Sequence, residues 1–226
     1  MQTISIAWCD SSTVESPFID GLLSVINCIQ EKPNLNLISV SHQIGNEIFR
    51  QRQTILDNWF FKEKSDWLLC LDSDIVISSE TFNILWSVAD SITTPVISGI
   101  YFSLSYDVDG LPMPYPCVFK YDTFSQNYKS IHPLPKNTLI QIDACGFGVL
   151  LLHRNVIKRL YEIYEEGNIF DVRLGEKAIS EDLSFFEKLS FLQIPVYAHT
   201  NAFTTHIKKL NINTLYFDSW WKNHDQ

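Results

Sequence analysis

Asp72-Ser73-Asp74 closes the apolar run Trp67-Leu68-Leu69-Cys70-Leu71 and is the stretch of this chain best placed to do chemistry. A run that apolar reads as a strand buried within a sheet, where bare carboxylates do not belong. Two acids one residue apart, at the carboxyl end of such a strand, sit where open α/β sheets bind their ligands. Close carboxylates repel, and a divalent cation between them removes the conflict. Hard oxygen ligands suit Mg²⁺ or Mn²⁺, ions that often arrive with a substrate diphosphate. The alternative is a solvated strand-end turn in which Asp74 or Ser78 caps the next helix.

Arg52 falls on the apolar stripe that Ile48, Ile55, Leu56 and Trp59 form on a helix expected over 44–62. An inward-facing Arg requires a buried anion, either a diphosphate or a protein carboxylate, unless it snorkels from the edge of the stripe. Glu181-Asp182 opens a helix whose inner face carries Phe185, Phe186 and Leu189, with Ser180 as its N-cap. Acids there complement the helix dipole. The same dipole would keep Asp182 ionised, which suits a general base taking a proton from a hydroxyl. His206 is open to two readings, a hydrogen-bonded structural residue or the nitrogen of a mixed oxygen–nitrogen Mn²⁺ site, with His199 the competing candidate. Asp143 and the glycines Gly146 and Gly148 share one strand-like run. Glycine there marks either the close approach of a ligand or backbone, or a bend. The pair fits no phosphate loop or dinucleotide fingerprint, and neither GxSxG nor HExxH occurs.

The elements that must hold these groups alternate through the first hundred residues. Strands are expected over 4–8, 35–40, 66–71 and 95–101, with helices starting at Ser16-Pro17 and running over 44–62 and 79–89. That alternation predicts a parallel α/β sheet. Residues 103–137, with five prolines and the turn Asp109-Gly110, predict short strands between loops. Beyond them come a long strand-like run over 139–152, helices over 153–166 (ended by Gly167) and 181–192, a strand over 194–198 and an aromatic tail. With no repeat or linker, the chain reads as one domain over 1–226. Its nucleotide-facing half is 1–102, its acceptor-facing half 103–208, and its tail 209–226.

The 226 residues are 46% hydrophobic, 13% aromatic and 19% charged, a folded globular composition. A net charge of −9 argues against a general nucleic-acid binder, while local Arg or metal could still receive an anionic substrate. The five cysteines at 9, 28, 70, 117 and 145 are dispersed, as reduced core thiols are. With no secretory signal and no apolar stretch long enough to span a membrane, the expected location is cytoplasmic, in a bacterium or a virus-infected host cell.

In order along the chain stand the Arg52 helix, DWLLCLDSDI at 66–75, PVISGIYF at 95–102, IDACGFGVLLLHRNVI at 142–157, SEDLSFFEKL at 180–189 and THI at 205–207. This ordered set resembles the GT-A-fold glycosyltransferases, above all the compact family-2-like enzymes of bacteria and their viruses. The resemblance spans roughly residues 3–208. It implies an α/β, Rossmann-like nucleotide-diphospho-sugar transferase fold with a mixed, mostly parallel central sheet flanked by helices. By that resemblance Arg52, Asp72, Ser73 and Asp74 bind the nucleotide-sugar, and Asp72, Asp74 and His206 hold Mn²⁺ or Mg²⁺. Asp143 and Gly146 lie by the acceptor or donor sugar. Asp182, with Glu181 beside it, activates the acceptor hydroxyl for direct displacement with inversion, and the ion stabilises the departing diphosphate.

Two departures stand out. An acidic base-recognition residue is replaced by Ser39-Val40-Ser41-His42, and Phe147 occupies the place of a small residue between the glycines. Trp220 and Trp221 could stack on a sugar or anchor the tail. The competing functions are a nucleotidyltransferase acting on a sugar phosphate and a non-catalytic nucleotide-sugar-binding module.

Overall fold

The computed structural model describes residues 1–106, 112–173, 179–209 and 214. The first half runs β1 (Gln2–Asp10), α1 (Ser16–Gln30), β2 (Leu35–Ile44), α2 (Ile48–Asp57), β3 (Trp67–Asp72), β4 (Ile75–Val76), α3 (Ser79–Ser87) and β5 (Val96–Ile100). Next come β6 (Phe102–Tyr106), β7 (Pro112–Pro116), β8 (Val118–Asp122), β9 (Asn127–Ser130), β10 (Leu139–Ile142), β11 (Ala144–Cys145) and β12 (Val149–His153). The chain continues through α4 (Arg154–Tyr161), α5 (Glu181–Phe191), β13 (Val196–Phe203) and β14 (Thr205–His206). The Asp109-Gly110 turn and the Trp220/Trp221 tail lie outside the described residues.

Seven strands form the central sheet in the order β10-β13-β5-β12-β3-β1-β2. β1 pairs in parallel with β2 and β3, and β13 in parallel with β5. β12 slots antiparallel between β3 and β5, and β10 closes one edge antiparallel to β13. The sheet is thus mixed, with five of the seven strands co-directional. The uniform alternation of the first half hid the insertion of β12, because a strand buried on both faces reads as a continuous apolar run whichever way it points.

Strand alternation divides the core. On one face Ile4, Ile6, Leu69 and Leu71 pack against Phe18, Leu22 and Val25 of α1 and Phe82 and Leu85 of α3. On the other, Ala7, Leu68, Cys70, Leu150 and Leu152 meet α2, α4 and α5 through Ile55, Leu56, Ile157 and Phe185. Side chains two apart point to the same face, so one strand serves both layers. All five cysteines are free thiols.

Local boundaries differ where tertiary contacts overrule periodicity. The helix expected over 44–62 ends at Asp57 and continues as a π-helical turn, Asn58–Glu63, whose Trp59 donates from Nε1 to Ser65 Oγ at 2.8 Å. α4 stops at Tyr161 instead of continuing to 166; Tyr164 lies beneath the Lys188 ammonium, 5.0 Å from its ring centre. The run over 139–152 is three strands. β10 pairs with β13, β11 leaves the main sheet to pair with β8, and β12 returns to it.

Candidate active site

β3 delivers Asp72 and Asp74 to the carboxyl end of the sheet, and a two-strand ladder completes that corner. β14 pairs antiparallel with β4, with His206 opposite Ile75, and the Ile207 amide donates to the Asp74 carbonyl at 2.8 Å. Residues 132 positions apart in sequence are thereby joined: His206 Nε2 lies 3.0 Å from Asp74 Oδ2. Lys208 Nζ also donates to Asp74 Oδ2, at 3.0 Å. Burial pushes the Asp74 carboxyl up, but the hydrogen bonds from His206 and Lys208 outweigh it and hold the group below the usual carboxylate value.

α2 and α5 build a second cluster behind this corner. The Arg52 guanidinium, with only 7% of its side chain exposed, donates to Glu181 Oε1 at 2.7 Å, to Asp182 Oδ1, and to both Asp72 oxygens at 3.2 and 3.3 Å. Its flat face covers the Phe147 ring, 4.9 Å from the centre. Of the anions open to Arg52, the protein's own carboxylates are the ones it meets. One cation facing three acids leaves an excess of negative charge. Burial foremost, then Glu181 and Asp72 against the opposing pull of Arg52, raises the Asp182 carboxyl to about 7. α5 is capped as its sequence implies, Ser180 Oγ accepting from the Leu183 amide.

Between the clusters opens a cavity of about 380 Å³. Asp72, Asp74, Asp182, His206 and Lys208 line it together with Cys145 and Gly146, and Tyr115, Phe119 and Tyr128 add an aromatic wall. Tyr101 explains the glycines. A Cβ on residue 146 would lie 1.8 Å from Tyr101 Oη, and one on residue 148 would lie 2.7 Å from its ring. The close approach is therefore by a side chain of the protein itself. The Phe147 amide in the same turn donates to Asp182, and the Phe147 ring packs on Phe170, Phe185 and Phe186.

The residues singled out in the sequence fall in different places. Arg52 does not line the cavity and stands behind it as a counter-ion. Glu181 likewise faces Arg52, and Ser73 forms the turn between the two acids without reaching the cavity wall. Asp143 points away, accepting from the Tyr121 amide at 2.8 Å and from Lys120. His199 sits on β13 opposite Leu139 and does not line the cavity, whereas His206 does. Among the described residues no group of three His, Cys, Asp or Glu side chains is disposed to hold a metal, because Asp72 is turned towards Arg52.

The remaining pair, Asp74 and His206, does fit a divalent ion. His206 Nδ1 donates to the Phe102 carbonyl at 2.7 Å, which leaves Nε2 to face Asp74: it donates to the carboxylate while it carries a proton and offers an ion its lone pair once it does not. Nitrogen and oxygen lie 3.0 Å apart, close enough to be shared by one ion. Few protein ligands, with water and phosphate completing the shell, is the habit of Mg²⁺. Lys208 reaches the cavity through the β4–β14 ladder and the aromatic wall through β7, β8 and β9, so neither carries a sequence signature.

Several solved structures are similar to this chain. A197 from STIV is similar with a TM-score of 0.57 at 21% identity, over 92% of this chain and 87% of that one. GalNAc-T7, solved with UDP, GalNAc and Mn²⁺, is similar with a TM-score of 0.56 at 13% identity, over 93% of this chain and 44% of that one. A Drosophila β1,4-galactosyltransferase 7 mutant, in complex with manganese, UDP-Gal and xylobiose, gives 0.53 at 12% identity, over 92% of this chain and 72% of that one. The chain has the GT-A fold. No protein-family model matches the sequence, and no curated protein matches it. The expected mixed sheet flanked by helices is borne out. No helix among the described residues is long and apolar enough to cross a membrane.

Proposed function

We propose that this GT-A chain is a divalent-metal-dependent glycosyltransferase that moves a sugar from a nucleotide-diphosphate sugar to an acceptor hydroxyl with inversion. The observation that carries the reading is Asp182: a carboxylate raised to about 7, lining a cavity that also presents Asp74 and His206. A base with that value can take a hydroxyl proton near neutral pH. Asp182 accepts the proton as the acceptor oxygen forms its bond to the anomeric carbon. The bond from that carbon to the diphosphate oxygen breaks, and its electron pair leaves with the diphosphate. A divalent ion held by Asp74 and His206 would supply Lewis-acid stabilisation of that leaving group.

Arg52 acts on the base without touching substrate. Its charge opposes the rise of the Asp182 carboxyl and fixes the carboxylate's direction. The aromatic wall of Tyr115, Phe119 and Tyr128 suits the apolar face of an acceptor ring. Residues 1–102 then serve the donor and 103–208 the acceptor.

The test is Mn²⁺-dependent turnover across a panel of nucleotide-sugars, with product stereochemistry read by NMR. Asp74→Ala and Asp182→Asn should each lower turnover by about 10²–10⁴-fold. Wild-type activity in both variants removes the proposed roles, and a retained anomeric configuration removes direct displacement.

A further inference from the structure

Asp74 carries two donors on a single oxygen. His206 Nε2 and Lys208 Nζ each lie 3.0 Å from Oδ2. The imidazole is held from behind by the Phe102 carbonyl and by the edge of Tyr101, 5.3 Å between ring centres, and its side chain is only 9% exposed. Lys208 is different. It lies past the end of the β4–β14 ladder, 40% of its side chain is exposed, and Asp74 is its one ion-pair partner among the described residues. A divalent ion on Oδ2 and an ammonium on the same atom repel at close range and compete for the same lone pairs. One of them must leave, and the flexible, solvated lysine is the one able to do so.

We propose that Lys208 is a resident counter-cation of Asp74, displaced when a divalent ion binds and then available to the phosphates of a diphosphate in the same cavity. This rests on the reading of Asp74 and His206 as metal ligands. It makes the lysine act with opposite sign in two steps. Metal alone binds against Lys208, whereas diphosphate binds with its help once the metal has freed it. Metal and diphosphate therefore strengthen each other's binding, by one shared factor.

The test titrates Mn²⁺ alone into wild type, Lys208→Met, Lys208→Arg and Asp74→Asn, following loss of the free-ion EPR signal. UDP, the diphosphate in one of the similar structures, is then titrated at saturating Mn²⁺ by calorimetry. An exposed ion pair of this kind bounds the effect at about fivefold. Lys208→Met should bind Mn²⁺ about fivefold more tightly than wild type, and UDP about fivefold more weakly. Lys208→Arg, which keeps the charge, should stay near wild type for Mn²⁺. If Asp74→Asn loses Mn²⁺ while Lys208→Met binds it no more tightly than wild type, the counter-cation role fails and the metal site stands. If none of the four proteins binds Mn²⁺, both fail.

Discussion

Replacing Asp182 by Asn should make the protein more stable at pH 8 while silencing it. The Asp182 carboxyl lies at about 7 in the fold against an ordinary 3.8. Because the folded value is raised, the folded state binds the proton more tightly. The associated stability is complete below the unfolded value and is lost as pH rises through the folded one. About three pH units at about 1.4 kcal/mol each set a ceiling of about 4 kcal/mol lost between pH 4 and 7. The Asp182 side chain is 22% exposed, so water trims this to about 2–4 kcal/mol.

Other groups titrate too. Asp10 and Asp74 are held below their ordinary value despite burial, through hydrogen bonds from His42 and His206 respectively, and act below pH 4. His153 and His199 are lowered by burial, and their stability is lost as pH falls through the mildly acidic range. Both contributions are common to the two proteins, so the quantity to read is the difference between variant and wild type. Urea unfolding at unit steps from pH 4 to 8 should give near-equal stability at pH 4–5 and a gap favouring Asp182→Asn that opens to about 2–4 kcal/mol by pH 8. Parallel profiles, or a variant less stable than wild type at pH 8, would refute the picture of Asp182 as an over-charged buried acid.

Removing the counter-ion should do the reverse. Arg52→Met leaves Asp72, Glu181 and Asp182 facing one another unneutralised, and should cost about 3–5 kcal/mol in urea unfolding at pH 8, with a smaller loss at pH 5 where Asp182 takes up a proton. Gly146→Ala drives a methyl into the Tyr101 hydroxyl and should cost about 1–3 kcal/mol. In a Gly146→Ala/Tyr101→Ala double mutant the two losses should combine to less than their sum, and simple additivity would show that the clash is relieved elsewhere.

The acidic end of β3, the inward Arg52 and the capped helix led by Glu181 and Asp182 stood out in the sequence, because burying a charge or ending an apolar strand on carboxylates leaves a mark on the local pattern, whereas the local pattern of His206 left its role open. Strand and helix alternation likewise marked the first half of the sheet. How those groups combine was not legible. Whether Arg52 meets a phosphate or a carboxylate depends on α5 bringing Glu181 and Asp182 to α2, a contact spanning 129 residues. The local pattern of Gly146 and Gly148 could not name Tyr101 as the atom that excludes a side chain, nor place β12 between β3 and β5. Asp72 and Asp74 look equivalent in sequence, yet the fold turns one to Arg52 and the other to His206 and Lys208. Residue type and period fix what a segment can bury. Which charges share a cavity is decided by long-range packing, and that neutralisation sets which carboxylate stays ionised and which holds its proton.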